Sequence, residues 1–139
     1  MLTVVLDTSV LVSSVLVAKG IPAQVYRAWT EQQYLLVTSE HQLAELKHTL
    51  SYPRLRLKYQ LTDSLLEQLF SALERHALWV DAVMDPEVDV RDPNDSFVLS
   101  MAAEAGVDLI VSSDKDLLVL GSFRNTRILT PRQFLEMLG

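Results

Sequence analysis

The sequence contains no cysteine, and this absence limits its chemistry. Without thiols, the 139-residue chain forms no disulfide and offers no thiolate ligand to a metal. A cysteine-free chain also fits a reducing compartment, so we expect a cytoplasmic protein.

Long hydrophobic runs are also missing. No apolar run reaches the length of about 18 residues that a membrane-spanning helix needs, so we expect no membrane partner. Residues 1–18 are apolar, but Asp7 interrupts them and no basic segment comes first, so we predict no secretory signal. Repeats, low-complexity tracts and linkers are absent as well. With 49% hydrophobic and 22% charged residues, residues 1–139 read as one globular domain.

Basic residues are few, with 12 lysines and arginines against 18 acidic residues and a net charge of −6. Proteins that bind nucleic acids normally need basic surface. The charge is uneven, because residues 81–95 are strongly acidic while residues 51–60 carry Arg54, Arg56 and Lys58 without an acid. Bound divalent cations would offset part of the acidity. Net charge alone therefore does not decide whether these bases contact nucleic acid or form a solvated face.

Strand-like and helix-like patterns alternate along the chain. Short apolar runs predict strands over residues 2–6, 34–38, 77–80, 108–111 and 126–129. Helices are predicted over residues 9–18, 22–31, 39–50, 93–105, 114–120 and 131–138, with one more starting at residue 62. A capping box is predicted at Ser39 and Gln42, and residues 81–91 are predicted to form an acidic loop. The alternation favours an α/β fold, a three-layer α/β/α sandwich around a parallel sheet of about five strands.

Four carboxylates stand where such a fold places functional groups. Asp7 ends the first predicted strand and Asp114 follows the fourth, at the sheet edge where parallel α/β folds bind ligands. Glu45 lies within a helix, and Asp95 lies in the first turn of another. Carboxylates without cysteine or a matched histidine set favour Mg²⁺ or Mn²⁺. The pattern predicts a metal-dependent enzyme that acts on a phosphate.

Each carboxylate also has a structural alternative. Asp7 and Asp114 stand where they could cap the helices that follow them, and Glu45 could lie on a solvated helix face. Asp92 and Asp95 occupy the cap position and the first turn of a helix that starts with proline, where both would be stabilising. We assign Asp92 as the cap and Asp95 as the ligand.

Four segments, taken in order, resemble the PIN domains, in particular the small toxins (VapC-like) of bacterial type II toxin–antitoxin pairs. They are residues 4–14 (VVLDTSVLVSS), 39–46 (SEHQLAEL), 91–97 (RDPNDSF) and 112–118 (SSDKDLL). Residues 52–55 and 128–135 add family-like features. The similarity departs mildly at Ser9, Ser96 and Ser113, where the family often has asparagine or glycine.

The resemblance implies an endoribonuclease that uses one or two Mg²⁺ or Mn²⁺ ions and leaves a 5′-phosphate and a 3′-hydroxyl. It further implies an antitoxin partner and a homodimer. Carried over by position, the metal-binding and catalytic residues are Asp7, Glu45, Asp95 and Asp114. Candidate outer-shell residues are Thr8, Asp92, Ser113 and Asp116, and candidate RNA contacts are Arg54, Arg56, Lys58 and Lys115.

Several rival classes fit less well. Haloacid-dehalogenase-like phosphatases need a second aspartate where Ser9 stands, and receiver domains need an acidic pair near the first strand. A metal-ion adhesion site needs a second serine at Leu11, and His41, Glu45 and His48 lack the His-Glu-x-x-His zinc spacing. The non-enzyme alternative is a PIN-like fold that is catalytically inactive and only binds protein or RNA.

Overall fold

The computed structural model describes residues 1–81 and 93–139, and for residues 93–95 it describes the backbone alone. The described strands are β1 (Thr3–Leu6), β2 (Leu35–Thr38), β3 (Leu78–Trp79), β4 (Leu109–Val111), β5 (Ser122–Phe123) and β6 (Thr126–Leu129). The described helices are α1 (Thr8–Leu16), α2 (Ile21–Thr30), α3 (Glu40–Leu50), α4 (Pro53–Lys58), α5 (Asp63–His76), α6 (Pro93–Ala105), α7 (Lys115–Leu118) and α8 (Pro131–Leu138). The predicted acidic loop lies outside the described residues beyond Asp81.

The strands form one sheet in the order β3-β2-β1-β4-β6-β5. The first five of these are mutually parallel, as predicted, while β5 pairs antiparallel with β6. The sequence prediction missed β5, which is two residues long and joins β6 through Arg124 and Asn125. Both turn residues have positive φ, 46° and 73°, as a tight hairpin turn of the primed type requires. The sheet therefore has six strands among the described residues rather than about five.

The two faces of the sheet bury alternate residues of each strand. Val4 and Leu6 face one core cluster, which α1, α2, α3, α5 and α8 cover, while Val5 faces a second cluster against α6 and α7. All three valine and leucine side chains are fully buried. Because a parallel sheet hides both faces, its strands read as continuous apolar runs in the sequence. The predicted three-layer α/β/α architecture is confirmed.

The predicted capping box at the start of α3 is only half present. Ser39 Oγ accepts a hydrogen bond from the Gln42 backbone N–H at 3.2 Å, as expected. The Gln42 side chain, however, donates to the Leu6 carbonyl at 2.7 Å and accepts from Thr38 Oγ1 at 2.6 Å. The buried amide of Gln42 therefore links α3 to β1 and β2. The predicted reciprocal hydrogen bond from Ser39 to the Gln42 side chain is wrong.

No single helix in the described ranges is long and apolar enough to cross a membrane. Within those ranges, one pair of helices, α1 and α2, reaches the length and apolar composition of a membrane span when taken together. The two helices are bent by 97° relative to each other.

Candidate active site

The parallel strands β1, β2, β4 and β6 all end at one edge of the sheet. The residues that follow directly are Asp7, Ser39, Ser112 and Thr130. Because neighbouring strands run in register, with Leu6 opposite Val111, the next residues Asp7 and Ser112 also lie side by side. This edge is where ligands bind in open α/β sheets.

Asp7 is buried at this edge, with 7% of its surface exposed. Its backbone N–H donates to the Val111 carbonyl at 2.9 Å, and its carbonyl accepts from the first turn of α1. It occupies the N-cap position of α1, which begins at Thr8 rather than at the predicted Ser9, but its side chain makes no capping hydrogen bond. The capping alternative therefore leaves the carboxylate of Asp7 unexplained.

Ser112 fixes this carboxylate. Its hydroxyl donates to Asp7 Oδ2 at 2.7 Å and its oxygen accepts from the Asp114 N–H at 2.9 Å. Sequence reasoning missed Ser112 and named its exposed neighbour Ser113 instead. The sequence carried only part of the signal, a polar residue directly after an apolar run, because the position of Ser112 beside Asp7 follows from the pairing of β4 with β1. The outer-shell role of Ser113 stays a prediction.

The charges around Asp7 are negative. Burial raises the pKa of its carboxyl group, the hydrogen bond from Ser112 lowers it, and the negative charge of Asp114 raises it. Smaller effects come from the Thr8 N–H, which lowers the pKa, and from Glu45, which raises it. Neither salt bridge among the described side chains involves Asp7. A buried carboxylate without a cationic partner is costly, and a bound cation would remove that cost.

Asp114 performs the capping role that its position also predicted. Its Oδ1 accepts the Asp116 backbone N–H at 2.9 Å at the start of α7. This bond uses one of two carboxylate oxygens, so capping does not prevent Asp114 from acting as a ligand. Asp116 and Lys115 are both exposed in the same helix.

Glu45 lies on α3, one helical turn after His41. The distance between His41 Nε2 and Glu45 Oε2 is 3.7 Å, and the Glu45 side chain is 23% exposed. The imidazole of His41 in turn stacks on the ring of Phe97 in α6, with centroids 3.5 Å apart and planes 15° apart. This stack, also missed from the sequence, brings α6 beside the start of α3.

Asp92 and the side chain of Asp95 lie outside the described residues. The helix that carries Asp95 does start at Pro93 and end before Gly106, as predicted. Among the side chains that are described, no three histidines or carboxylates lie close enough to surround one metal ion. The four-carboxylate cluster therefore stays a prediction whose completion depends on Asp95.

The predicted RNA contacts fall into two groups. Arg54, Arg56 and Lys58 lie on α4, where Arg56 forms a salt bridge with Asp63. Lys58 approaches the Tyr59 ring, with its Nζ 5.3 Å from the centroid. Arg54 is exposed, like Lys115 on α7. These contacts remain predictions, and Arg56 already has a partner within the chain.

Gln42 ties the ends of β1 and β2 together. Besides the bonds to Leu6 and Thr38, its Nε2 lies 3.4 Å from Thr8 Oγ1, and both Thr8 and Gln42 are buried. The amide thus holds the backbone just before Asp7 and the hydroxyl just after it. Gln42 was singled out from the sequence only as a cap.

Replacing Gln42 with leucine should lower the stability of the protein. The substitution keeps the volume but leaves the Leu6 carbonyl and the Thr38 hydroxyl without this partner, which costs about 1–3 kcal/mol. Urea unfolding would measure the loss, with Gln68→Leu as a control because Gln68 is exposed on α5. Equal stability of the Gln42→Leu and Gln68→Leu variants would contradict this role.

The chain is an α/β domain with a hydrophobic core on each face of its sheet. A buried carboxylate, that of Asp7, lies at one edge of the sheet together with other acidic residues. Residues 3–116 match the PIN domain family, so the chain belongs to this family, as the sequence predicted. PIN domains are generally nucleases and typically use divalent metals.

Two similar proteins extend the comparison. The uncharacterized protein MJ1680 of Methanocaldococcus jannaschii is 26% identical over 144 residues, covering 96% of this chain and 89% of the relative. The crystal structure of FitAcB from Neisseria gonorrhoeae matches with a TM-score of 0.52 and 16% identity. The match covers 93% of this chain and 98% of the other. At this identity the structural match supports the fold, and it confirms the PIN-like architecture.

Proposed function

We propose that the protein is a divalent-metal-dependent endoribonuclease. The observation that carries the proposal is the buried carboxylate of Asp7, which sits at the sheet edge with the negative charges of Asp114 and Glu45 acting on it. Such an arrangement costs free energy unless a cation is present. Membership of a family of nucleases supplies the reaction class.

The residues fit a hard cation. Asp7, Glu45, Asp95 and Asp114 would hold Mg²⁺ or Mn²⁺, because such ions prefer carboxylate oxygens and water. When bound, the metal would lower the pKa of a water molecule and stabilise the charge on the phosphate oxygens. Asp95 and water would supply the ligands that the described side chains lack.

The protein side chains then have separate tasks. Ser112 holds the Asp7 carboxylate in one orientation, and the start of α7 holds that of Asp114. Glu45 would accept a hydrogen bond from the attacking water and orient it toward the phosphorus. Thr8, Asp92, Ser113 and Asp116 would form the outer shell, while Arg54, Arg56, Lys58 and Lys115 would contact the RNA backbone. The expected products carry a 5′-phosphate and a 3′-hydroxyl.

We further propose that the chain is the toxin of a toxin–antitoxin pair in the cytoplasm. This step rests on the resemblance of four ordered segments of the sequence to small PIN toxins. The antitoxin would insert a basic segment into the acidic site, and two copies of the chain would form a homodimer. Purification with the product of a neighbouring short reading frame, followed by cleavage assays with and without it, tests this pairing.

A catalytically inactive binding module is the second candidate. It differs from the nuclease in needing no metal ion at the acidic sheet edge. Incubation of the purified protein with single-stranded and structured RNA separates the two candidates. Cleavage in Mg²⁺ or Mn²⁺ that stops on addition of EDTA supports the nuclease, and intact RNA under all conditions supports the binding module.

Replacing Ser112 with alanine should move the pH dependence of cleavage toward higher pH. The lost hydrogen bond normally lowers the pKa of Asp7, so its removal raises that pKa and lets protons compete with the metal. Loss of a partner that orients a metal ligand typically costs about 10–100-fold in activity, and we expect the larger loss at about pH 6 and the smaller at about pH 8. Ser64→Ala, an exposed site on α5, is the control. An unshifted profile would contradict the role of Ser112.

A further inference from the structure

His41 and Phe97 form a stacked pair beside the acidic site. Their ring centroids are 3.5 Å apart and their planes differ by 15°. His41 keeps 42% of its side chain exposed, and Glu45 lies 3.7 Å from its Nε2. The imidazole is thus restrained by Phe97 on one face and by Glu45 at Nε2, while much of the side chain remains accessible to solvent.

We propose that His41, backed by Phe97, is a platform on which one nucleobase of the RNA stacks next to the phosphodiester that is cut. The inference rests on the proposed function, since it names how the same site holds its substrate. Phe97 covers one face of the imidazole, so the base would lie against the opposite face.

The position of His41 supports this role. It lies in the first turn of α3, two residues after Ser39, which follows β2 directly at the sheet edge. Its neighbour Gln42 reaches Thr8, which follows Asp7 in the chain. Glu45, one turn further on, acts electrostatically on Asp7. A base on His41 would therefore lie beside Glu45, on the helix whose first turn contacts Thr8 next to Asp7.

Preorganisation makes the platform effective. A side chain that is already fixed loses little conformational freedom when a ligand binds to it. The Phe97 ring and the Glu45 carboxylate both restrict the imidazole before RNA arrives. Stacking of one base on an aromatic ring typically strengthens binding by about 5- to 150-fold.

The charge of the protein makes such a contact useful. A chain with a net charge of −6, in which the negative charges of Asp114 and Glu45 act on Asp7, repels phosphates near this site. Stacking acts on the uncharged base, so it adds affinity where electrostatic attraction is weak. Binding through His41 should therefore depend little on salt, unlike contacts to phosphate.

The test compares His41→Ala with His41→Phe. A short RNA that carries 2-aminopurine as its fluorescent base would report the dissociation constant in EDTA, and cleavage in Mn²⁺ would give kcat and KM. We expect His41→Ala to weaken binding and raise KM by about 5- to 150-fold, with kcat changed little. His41→Phe should stay close to the wild type, because it keeps a flat ring over Phe97.

His48→Ala is the matched control. His48 is the second histidine of α3 and also contacts an aromatic ring, that of Tyr52, with centroids 5.3 Å apart. It lies at the other end of the helix, so its removal should leave binding and KM unchanged. Thermal melts of all variants would show that each is folded.

The outcomes separate this inference from the proposed function. Unchanged binding and KM in His41→Ala, with cleavage intact, would overturn the platform and leave the nuclease standing. Equal losses of kcat in His41→Ala and His41→Phe would also overturn it, because they would mean that the imidazole only positions Glu45. Binding that depends on the His41 ring in a protein that never cleaves RNA would support base stacking on His41 but remove the nuclease, and with it the placement of the base next to a cleaved bond.

Discussion

Replacing Asp7 with asparagine should reduce RNA cleavage by about 10²–10³-fold or more, which corresponds to the several kcal/mol that a bound metal contributes to the transition state. Asparagine has nearly the same shape, and its side-chain oxygen can still accept the hydrogen bond from Ser112. The amide lacks the negative charge that would hold a divalent cation. Gel analysis of labelled RNA in Mg²⁺ or Mn²⁺ measures the loss.

The same substitution should make the metal-free protein more stable at neutral pH. The pKa of Asp7 is raised in the folded state, so the folded protein binds its proton more tightly than the unfolded chain does. Stability from this group is therefore present below the unfolded pKa of about 3.9 and is lost as the pH rises through the folded pKa. Asparagine stays neutral and avoids that loss.

Denaturant unfolding in EDTA at about pH 4 and about pH 7 checks this sign, since the difference between variant and wild type should grow with pH. Asp81→Asn is the control, because Asp81 is exposed. Cleavage by Asp7→Asn at the wild-type rate would refute the assignment of the site. An Asp7→Asn variant less stable than the wild type at neutral pH would show that the hydrogen bond from Ser112 stabilises the ionised carboxylate by more than its burial costs.

The architecture was largely predictable because parallel strands leave a strong pattern. Val4, Val5 and Leu6 form an uninterrupted apolar run since both faces of β1 are buried. The start of α8 at Pro131 and the end of α6 before Gly106 follow from proline and glycine at positions that suit them. The strand β5 escaped prediction because two residues carry no period and its turn lacks glycine.

The site was predictable only in part, because chain position locates a residue but not its contacts. Asp7 and Asp114 could be placed at one sheet edge because each follows a parallel strand, while their role as metal ligands stays a prediction. The bond from Ser112 to Asp7 depends on the pairing of β1 with β4, which are about a hundred residues apart. The stack of His41 on Phe97 depends on how α3 and α6 pack, and no local pattern encodes that contact.

Divalent cations should stabilise the wild-type protein and leave Asp7→Asn unaffected. A ligand at a hundred times its dissociation constant adds about 2.7 kcal/mol, which for a chain of this size raises the melting temperature by about 10 °C. Titration with Mn²⁺ and with Mg²⁺ during thermal unfolding would measure this gain. Asp81→Asn should respond as the wild type does.

The stabilisation by metal should also weaken as the pH falls. Because burial and neighbouring charges raise the pKa of Asp7, its proton competes with the metal at a higher pH than for an ordinary aspartate. The gain in melting temperature should therefore be larger at about pH 7.5 than at about pH 5.5. A flat response to both ions at either pH would identify a scaffold without a metal site. A gain that persists in Asp7→Asn would place the metal elsewhere, and Asp7 would then be a buried carboxylate with no role in binding cations.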